Sequence, residues 1–155
     1  GLKTFILKVR EIGLSVKLDT NGTHPEVLKD LMRDHLIDYI AMDIKSEFTV
    51  EAYSKATGIE VKSQLLDKVM QSVRLIIDSG IKHEFRTTLC KELVTAHNMK
   101  EMIASLKGCD RYYMQKLNTD KTLEEYAENF TLYTRDEIRE QIEALHSDFP
   151  IGYRE

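Results

Sequence analysis

The sequence predicts an α/β protein built on a parallel sheet with outer helices, and three observations predict it. Short apolar runs of strand length alternate with single amphipathic helical stretches. Successive strands lie roughly 25 to 40 residues apart, too far for hairpins and right for helical crossovers. Polar residues gather just after each apolar run, where ligands bind in parallel β/α architectures.

The size and charge of the chain set outer bounds. Its 155 residues, 42% hydrophobic and 31% charged, suit a single domain, 1–155, with a real core. Twenty-two Lys and Arg against 26 Asp and Glu leave a net charge of −4, so no broad cationic surface is available for nucleic acid. No apolar run approaches the roughly 20 residues needed to span a bilayer, and no charged-then-apolar leader opens the chain. The two cysteines, Cys90 and Cys109, lie far apart and outside any C-x-x-C spacing. A cytoplasmic protein without disulfides or membrane attachment is expected.

Taken in order, Leu2, Phe5, Ile6, Val9 and Ile12 recur at helical spacing, with Gly13 as a stop. A chain that starts inside a helix suggests that a preceding strand is absent, because a β/α unit opens with its strand. Leu14 to Leu18 reads as the first strand, running into the turn residues Asp19-Thr20-Asn21-Gly22, and Pro25 opens the next helix. Val27, Leu28, Leu31, Met32 and Leu36 keep the helical period, and Ile37 to Ile44 is the second strand. Residues 46–64 lack clean periodicity and read as a loop with short helices.

Leu65, Val69, Val73, Leu75, Ile76 and Ile77 mark a helix closed by Gly80, and His83 to Leu89 is the third strand. Met99, Met102, Ile103 and Leu106 form a helix stopped near Gly108, followed by the fourth strand from Arg111 to Leu117. From Asn118 to Thr134 no apolar period is seen. Thr134-Arg135-Asp136-Glu137 then fits a capping box before a last helix through Ile138, Ile142 and Leu145, and the remainder reads as a frayed tail.

Four groups at the strand ends are the candidates for chemistry: Asp19, Thr20 and Asn21; Asp43 and Lys45; Arg86, Thr87 and Thr88; Gln115, Lys116 and Asn118. Asp43 and Lys45 share one face of their strand because side chains repeat with period two. An inward Lys or Arg is costly to bury alone, so a carboxylate or an anionic ligand must meet it. Each group also has a plain alternative: a turn with a helix cap at Asp19 to Gly22, a rim ion pair at Asp43 and Lys45, a paired core residue at Arg86. The histidines His24, His35, His83, His97 and His146 show no metal-ligand spacing and are expected at surfaces or helix ends. Cys90 and Cys109 read as buried small residues rather than nucleophiles.

In this order, Lys17-Leu18-Asp19-Thr20-Asn21-Gly22, Asp38-Tyr39-Ile40-Ala41-Met42-Asp43-Ile44-Lys45, Glu84-Phe85-Arg86-Thr87-Thr88 and Tyr113-Met114-Gln115 resemble the glycyl-radical-enzyme activating branch of the radical S-adenosylmethionine superfamily. The third and fourth phrases are most similar to activating proteins of anaerobic ribonucleoside-triphosphate reductase. The resemblance covers nearly the whole chain. It implies a partial (β/α) barrel of six strands, of which this chain supplies strands three to six.

The family's C-x-x-x-C-x-x-C loop, which binds a four-iron four-sulfur (4Fe-4S) cluster, and its GGEP-like segment are both absent from this sequence. The resemblance implies S-adenosylmethionine contacts from Asp19, Thr20, Asp43, Lys45, Arg86, Thr88 and Gln115, with a monovalent cation at Asp19 and Asp43. Asn118 stands where the branch that activates pyruvate formate-lyase carries histidine. The implied chemistry is reduction of the sulfonium by the cluster, release of a 5'-deoxyadenosyl radical and abstraction of a glycine hydrogen from a partner enzyme. The cluster ligands are missing here, so the resemblance implies an inactive isolated chain within an active parent. Other readings are an activator of pyruvate formate-lyase or a related enzyme, a half-barrel interaction module able to dimerise through a bare sheet edge, and an aldolase-like barrel with Lys45 as amine nucleophile.

Overall fold

A computed structural model describes residues 1–118 and 130–155. The elements run α1 (Leu2–Glu11), β1 (Lys17–Thr20), α2 (Pro25–Arg33), β2 (Tyr39–Asp43), α3 (Val50–Thr57), α4 (Ser63–Asp78), β3 (Lys82–Leu89), α5 (Ala96–Ser105), β4 (Tyr112–Lys116), α6 (Arg135–Ala144) and β5 (Ile151–Arg154). All four strand pairings are parallel, and the sheet order is β1-β2-β3-β4-β5. This is the expected α/β architecture, a parallel sheet with surrounding helices consistent with a partial β/α barrel.

One sheet face carries the core. Ile40, Met42, Phe85, Tyr112 and Met114 are fully buried there, against Leu28 and Leu31 of α2, Val69, Val73 and Ile76 of α4 and Met99 and Met102 of α5. Alternation sends the other residues of each strand to the opposite face, and these are mostly polar: Lys17 and Asp19, Tyr39 and Asp43, Glu84, Arg86 and Thr88, Tyr113 and Gln115, and Arg154. Parallel sheets usually bury both faces in apolar side chains. A charged second face therefore needs a reason other than packing.

The sequence predicts four strands and a frayed tail, whereas the structure has a fifth strand in that tail. Ile151-Gly152-Tyr153-Arg154 is too short, and too interrupted by glycine, to stand out by period; its pairing with β4 makes it a strand. The first strand also begins later than expected, at Lys17, so Asp19 and Thr20 lie within it. In the stretch 46–64, α3 is capped by Thr49, whose hydroxyl accepts from Ala52 N, and it ends on Gly58 in the left-handed region. The capping box at α6 forms as predicted, with Glu137 N on Thr134 Oγ1 and Thr134 N on the Glu137 carboxylate. Of the aperiodic stretch, residues 119–129 lie outside the described residues.

His83 departs from its surface expectation. It is 3% exposed in β3; its Nδ1 lies 2.8 Å from Ile81 O and its Nε2 accepts from Asp110 N at 3.2 Å. That pattern fits a neutral ring with the proton on Nδ1, joining the start of β3 to the turn before β4. Cys90 and Cys109 are buried and free, as expected. No helix among the described residues is long and apolar enough to cross a membrane.

Candidate functional site

The polar face is built in register rows. Asp19 of β1 pairs with Ala41, and Ala41 with Glu84. One row toward the strand ends, Asp43, Arg86, Tyr113 and Gly152 stand side by side across β2 to β5. The next row holds Thr88, Gln115 and Arg154. Residues as far apart as 19 and 154 in sequence are thus brought onto one surface by parallel pairing.

Arg86 is the centre of this surface. Its Nε donates to Asp43 Oδ1 at 2.9 Å and its Nη2 lies 2.9 Å from the same oxygen, while Nη1 is 3.5 Å from Asp19 Oδ2. The side chain is only 14% exposed, so its fork on Asp43 is partly shielded from solvent, whereas the longer contact to Asp19, a 58% exposed side chain, is screened. Lys45 Nζ sits 3.4 Å from Asp43 Oδ2 and Lys17 Nζ 3.5 Å from Asp19 Oδ1, both on well-exposed side chains. The end of β2 is held rigidly: Ile44 N donates to Arg86 O, Thr87 Oγ1 to Ile44 O, and Lys45 N to the hydroxyl of Tyr53 on α3. Burial pushes the Tyr53 phenol up to about 12, so it stays a neutral acceptor for that amide.

Beneath Arg86 lies Glu84, which is 3% exposed. Arg154 grips both its oxygens, Nη1 to Oε1 at 2.8 Å and Nη2 to Oε2 at 2.9 Å, and Tyr39 donates to Oε2 at 2.9 Å. Burial works to raise the Glu84 carboxyl, but Arg154 and Tyr39 outweigh it and hold the group below the usual carboxylate range. The Tyr39 phenol is pushed up to about 12 by burial and by Glu84 itself. Arg154 reaches Glu84 by lying flat on the Tyr113 ring, 3.4 Å from its centroid. Gly152 allows this, since a Cβ there would come within 2.7 Å of Tyr113 Cε1.

Lys17, Lys45, Arg86 and Arg154 against Asp19, Asp43 and Glu84 leave one positive charge in excess over the contacts formed. Such a surface, with both signs fixed in place, suits a small zwitterion or a carboxylate-bearing ligand. Of the residues that the sequence singles out, Asp19, Asp43, Lys45 and Arg86 come together. Thr88 and Gln115 stand opposite each other in the row above, and Thr88 and Lys45 line a cavity of about 400 Å³ with Leu89, Cys90, Leu93 and Leu117. Thr20 points away from the group, and its Oγ1 accepts from Gly22 N in the turn after β1. A larger cavity of about 770 Å³ lies between α5 and residues 144–148 and includes none of these side chains.

Glu84, Tyr39, Lys17, Tyr113 and Arg154 belong to the group as well, although the sequence does not single them out. Glu84 is within reach of sequence reasoning, since it lies two residues before Arg86 and so shares its face. Arg154 gives no comparable signal.

The residues present fit S-adenosylmethionine in kind, with cations for its carboxylate, carboxylates for its amino group and sulfonium, and hydroxyls beside a partly apolar cavity. They do not fit an iron-sulfur cluster, which needs several accessible thiolates. Burial raises both cysteine thiols, that of Cys109 to about 12. Among the described residues no group of three or more His, Cys, Asp or Glu is arranged to hold a metal ion. Arg86 lies between Asp19 and Asp43, where the resemblance implies a monovalent cation.

No family model matches the sequence. The chain is similar to a curated protein of Methanocaldococcus jannaschii named "putative glycyl-radical enzyme activating enzyme". The two are 30% identical over 132 residues, 84% of this chain and 54% of the relative. The chain therefore spans about half the length of that relative.

Proposed function

We propose that this chain is the S-adenosylmethionine-embracing portion of a radical S-adenosylmethionine protein that activates a glycyl radical enzyme, most specifically anaerobic ribonucleoside-triphosphate reductase. The observation that carries the reading is the charged face of the sheet, with Arg86 held between Asp43 and Asp19 beside Lys45. The similarity to the archaeal protein supports it independently. When bound, the cofactor and an iron-sulfur cluster would supply the radical chemistry. The residues here orient and shield. Lys45 is free enough to meet a carboxylate, and Arg86 fixes Asp43 and Asp19 as partners for positive groups. Thr88 and Gln115 offer neutral hydrogen bonds at the strand ends.

A monovalent cation at Asp19 and Asp43 would have to share them with Arg86. With two buried cysteines the chain alone is inactive in this reading, and the cluster ligands come from further β/α units packed beside β1. The two buried free thiols favour a cytoplasmic setting.

Titration of the chain with S-adenosylmethionine, followed by amide chemical shifts, tests the site. Weak binding is expected, with shifts centred on residues 43–45 and 86–88. Asp43→Ala and Lys45→Ala are each expected to weaken it about tenfold, the scale of one lost charged hydrogen bond. Binding unaffected by both substitutions would sink the site assignment. The partner is tested with the chain in a protein that supplies a cluster. Incubated with S-adenosylmethionine, a reductant and anaerobic ribonucleotide reductase, it is expected to give the electron paramagnetic resonance signal of a glycyl radical. A signal only with pyruvate formate-lyase would move the assignment to that branch.

A further inference from the structure

We infer that Arg154, in the last strand, is a positioning residue: by neutralising Glu84 it keeps Arg86 on Asp43 and Asp19. The inference rests on reading the Asp43–Arg86–Lys45 group as the ligand site. Glu84 is buried at 3% exposure and carries a full negative charge, so it must be answered by cations at hand. Arg154 answers with two short hydrogen bonds, at 2.8 and 2.9 Å. The other cations near it are Lys17, 3.8 Å away, Arg86, whose Nη1 is 4.0 Å from Oε1, and Arg111 just before β4, whose Nη1 is turned onto the Tyr113 hydroxyl.

Arg86 thus stands between two acceptor sets. On one side are Asp43 and Asp19, at 2.9 and 3.5 Å; on the other is Glu84, already filled by Arg154. Removing Arg154 leaves a buried carboxylate with one phenol, a distant lysine and Arg111, which is engaged by Tyr113. Arg86 need shift only about as far as the difference between a 4.0 Å contact and a hydrogen bond to take the vacancy. Doing so breaks its fork on Asp43 and frees Asp43 and Lys45 to close on each other. Arg154 reaches no predicted ligand contact itself; it acts through Glu84. The stacking of its guanidinium on Tyr113, made possible by Gly152, fixes its direction.

The test is a charge cycle read at Arg86. With arginine side chains labelled by nitrogen-15, the Arg86 Nε–H of the wild-type chain is expected to be a protected, hydrogen-bonded resonance. In Arg154→Ala that resonance moves and its exchange with solvent rises at least tenfold, and S-adenosylmethionine affinity falls by a similar factor. In the double variant Glu84→Gln/Arg154→Ala no unpaired carboxylate remains. The Arg86 resonance and the affinity are both expected to return to wild-type values. A merely structural role for Arg154 predicts the opposite, since the double variant has lost more bonds than the single one.

Arg154→Lys, which keeps the charge but not the fork, falls between. If Arg154→Ala does not fold, the double variant still carries the test. An Arg86 resonance unchanged in Arg154→Ala, one displaced in the double variant, or one affinity shared by every variant would overturn the inference. A wild-type chain that ignores S-adenosylmethionine while Arg86 moves as expected would instead overturn the ligand reading and leave the clamp standing.

Discussion

At the scale of single residues, the polar face is governed by one rule: a charge taken from water must find its partner. Glu84 obeys it with Arg154 and Tyr39, and the consequence appears in acid. Its folded pKa lies below its unfolded value, so its contribution is fully present above the ordinary carboxylate range and is lost as pH falls through the folded value. Glu137 behaves alike, held near 2 first by Lys91 and then by the Thr134 amide, against an ordinary 4.5.

Urea unfolding measured between pH 7 and pH 3 is therefore expected to show stability falling below about pH 4.5. That slope is expected to be smaller in Glu84→Gln, because one carboxylate no longer takes up a proton; an unchanged slope would mean that Glu84 is not held low. Gly152→Ala probes the neighbouring constraint. Its Cβ would meet the Tyr113 ring at 2.7 Å, and overpacking of this kind costs roughly 1–3 kcal/mol. A drop in melting temperature is the expected readout.

At the scale of elements, the sequence is legible wherever a period runs long enough. The 16 residues of α4 and the eight of β3 announce themselves, and Thr134 with Glu137 announces the start of α6. Asp43 and Lys45 fall on one face by sequence spacing alone, because a strand's period is two. β5 is not readable in this way, since four residues carry no period worth the name and its identity comes from pairing with β4. Arg154 is hidden for the same reason. Its value lies in a contact with a residue 70 positions earlier, and register across three parallel strands is not a local property.

The bound state of Arg86 is half legible: the need for a partner follows from its place in a strand, and the partner's name does not. Thr134→Ala removes the cap of α6, at a typical cost of about 1 kcal/mol. Hydrogen exchange is expected to rise first in the amides of the opening turn of α6, before those of β3.

At the scale of the whole molecule, the sheet among the described residues has two edges, β1 and β5. The segment that leads into β1 is apolar on its outside. Leu2, Phe5 and Ile12 of the first helical stretch are 48%, 64% and 72% exposed, and Leu14 is 57% exposed. Only Ile6 of α1 is buried, while Lys3–Asp34 and Arg10–Asp38 tie the helix down at its sides. An exposed apolar helix face and an edge strand each invite a partner. Sedimentation velocity is expected to show concentration-dependent association of this chain, relieved by Phe5→Lys with Ile12→Lys. A clean monomer at all concentrations would show that the edge is blunted by other means.

The strand order follows the chain order without a reversal, so every β/α unit docks on the one before it. Glu84, in the middle strand, is answered by Arg154 of β5, the last of the five strands in chain order. While β5 is undocked, Glu84 lacks the fork of Arg154 and offers Arg86 a third carboxylate to choose. Docking of the last strand is thus also the step that sets the charges of the site, and the sheet and the site are completed together.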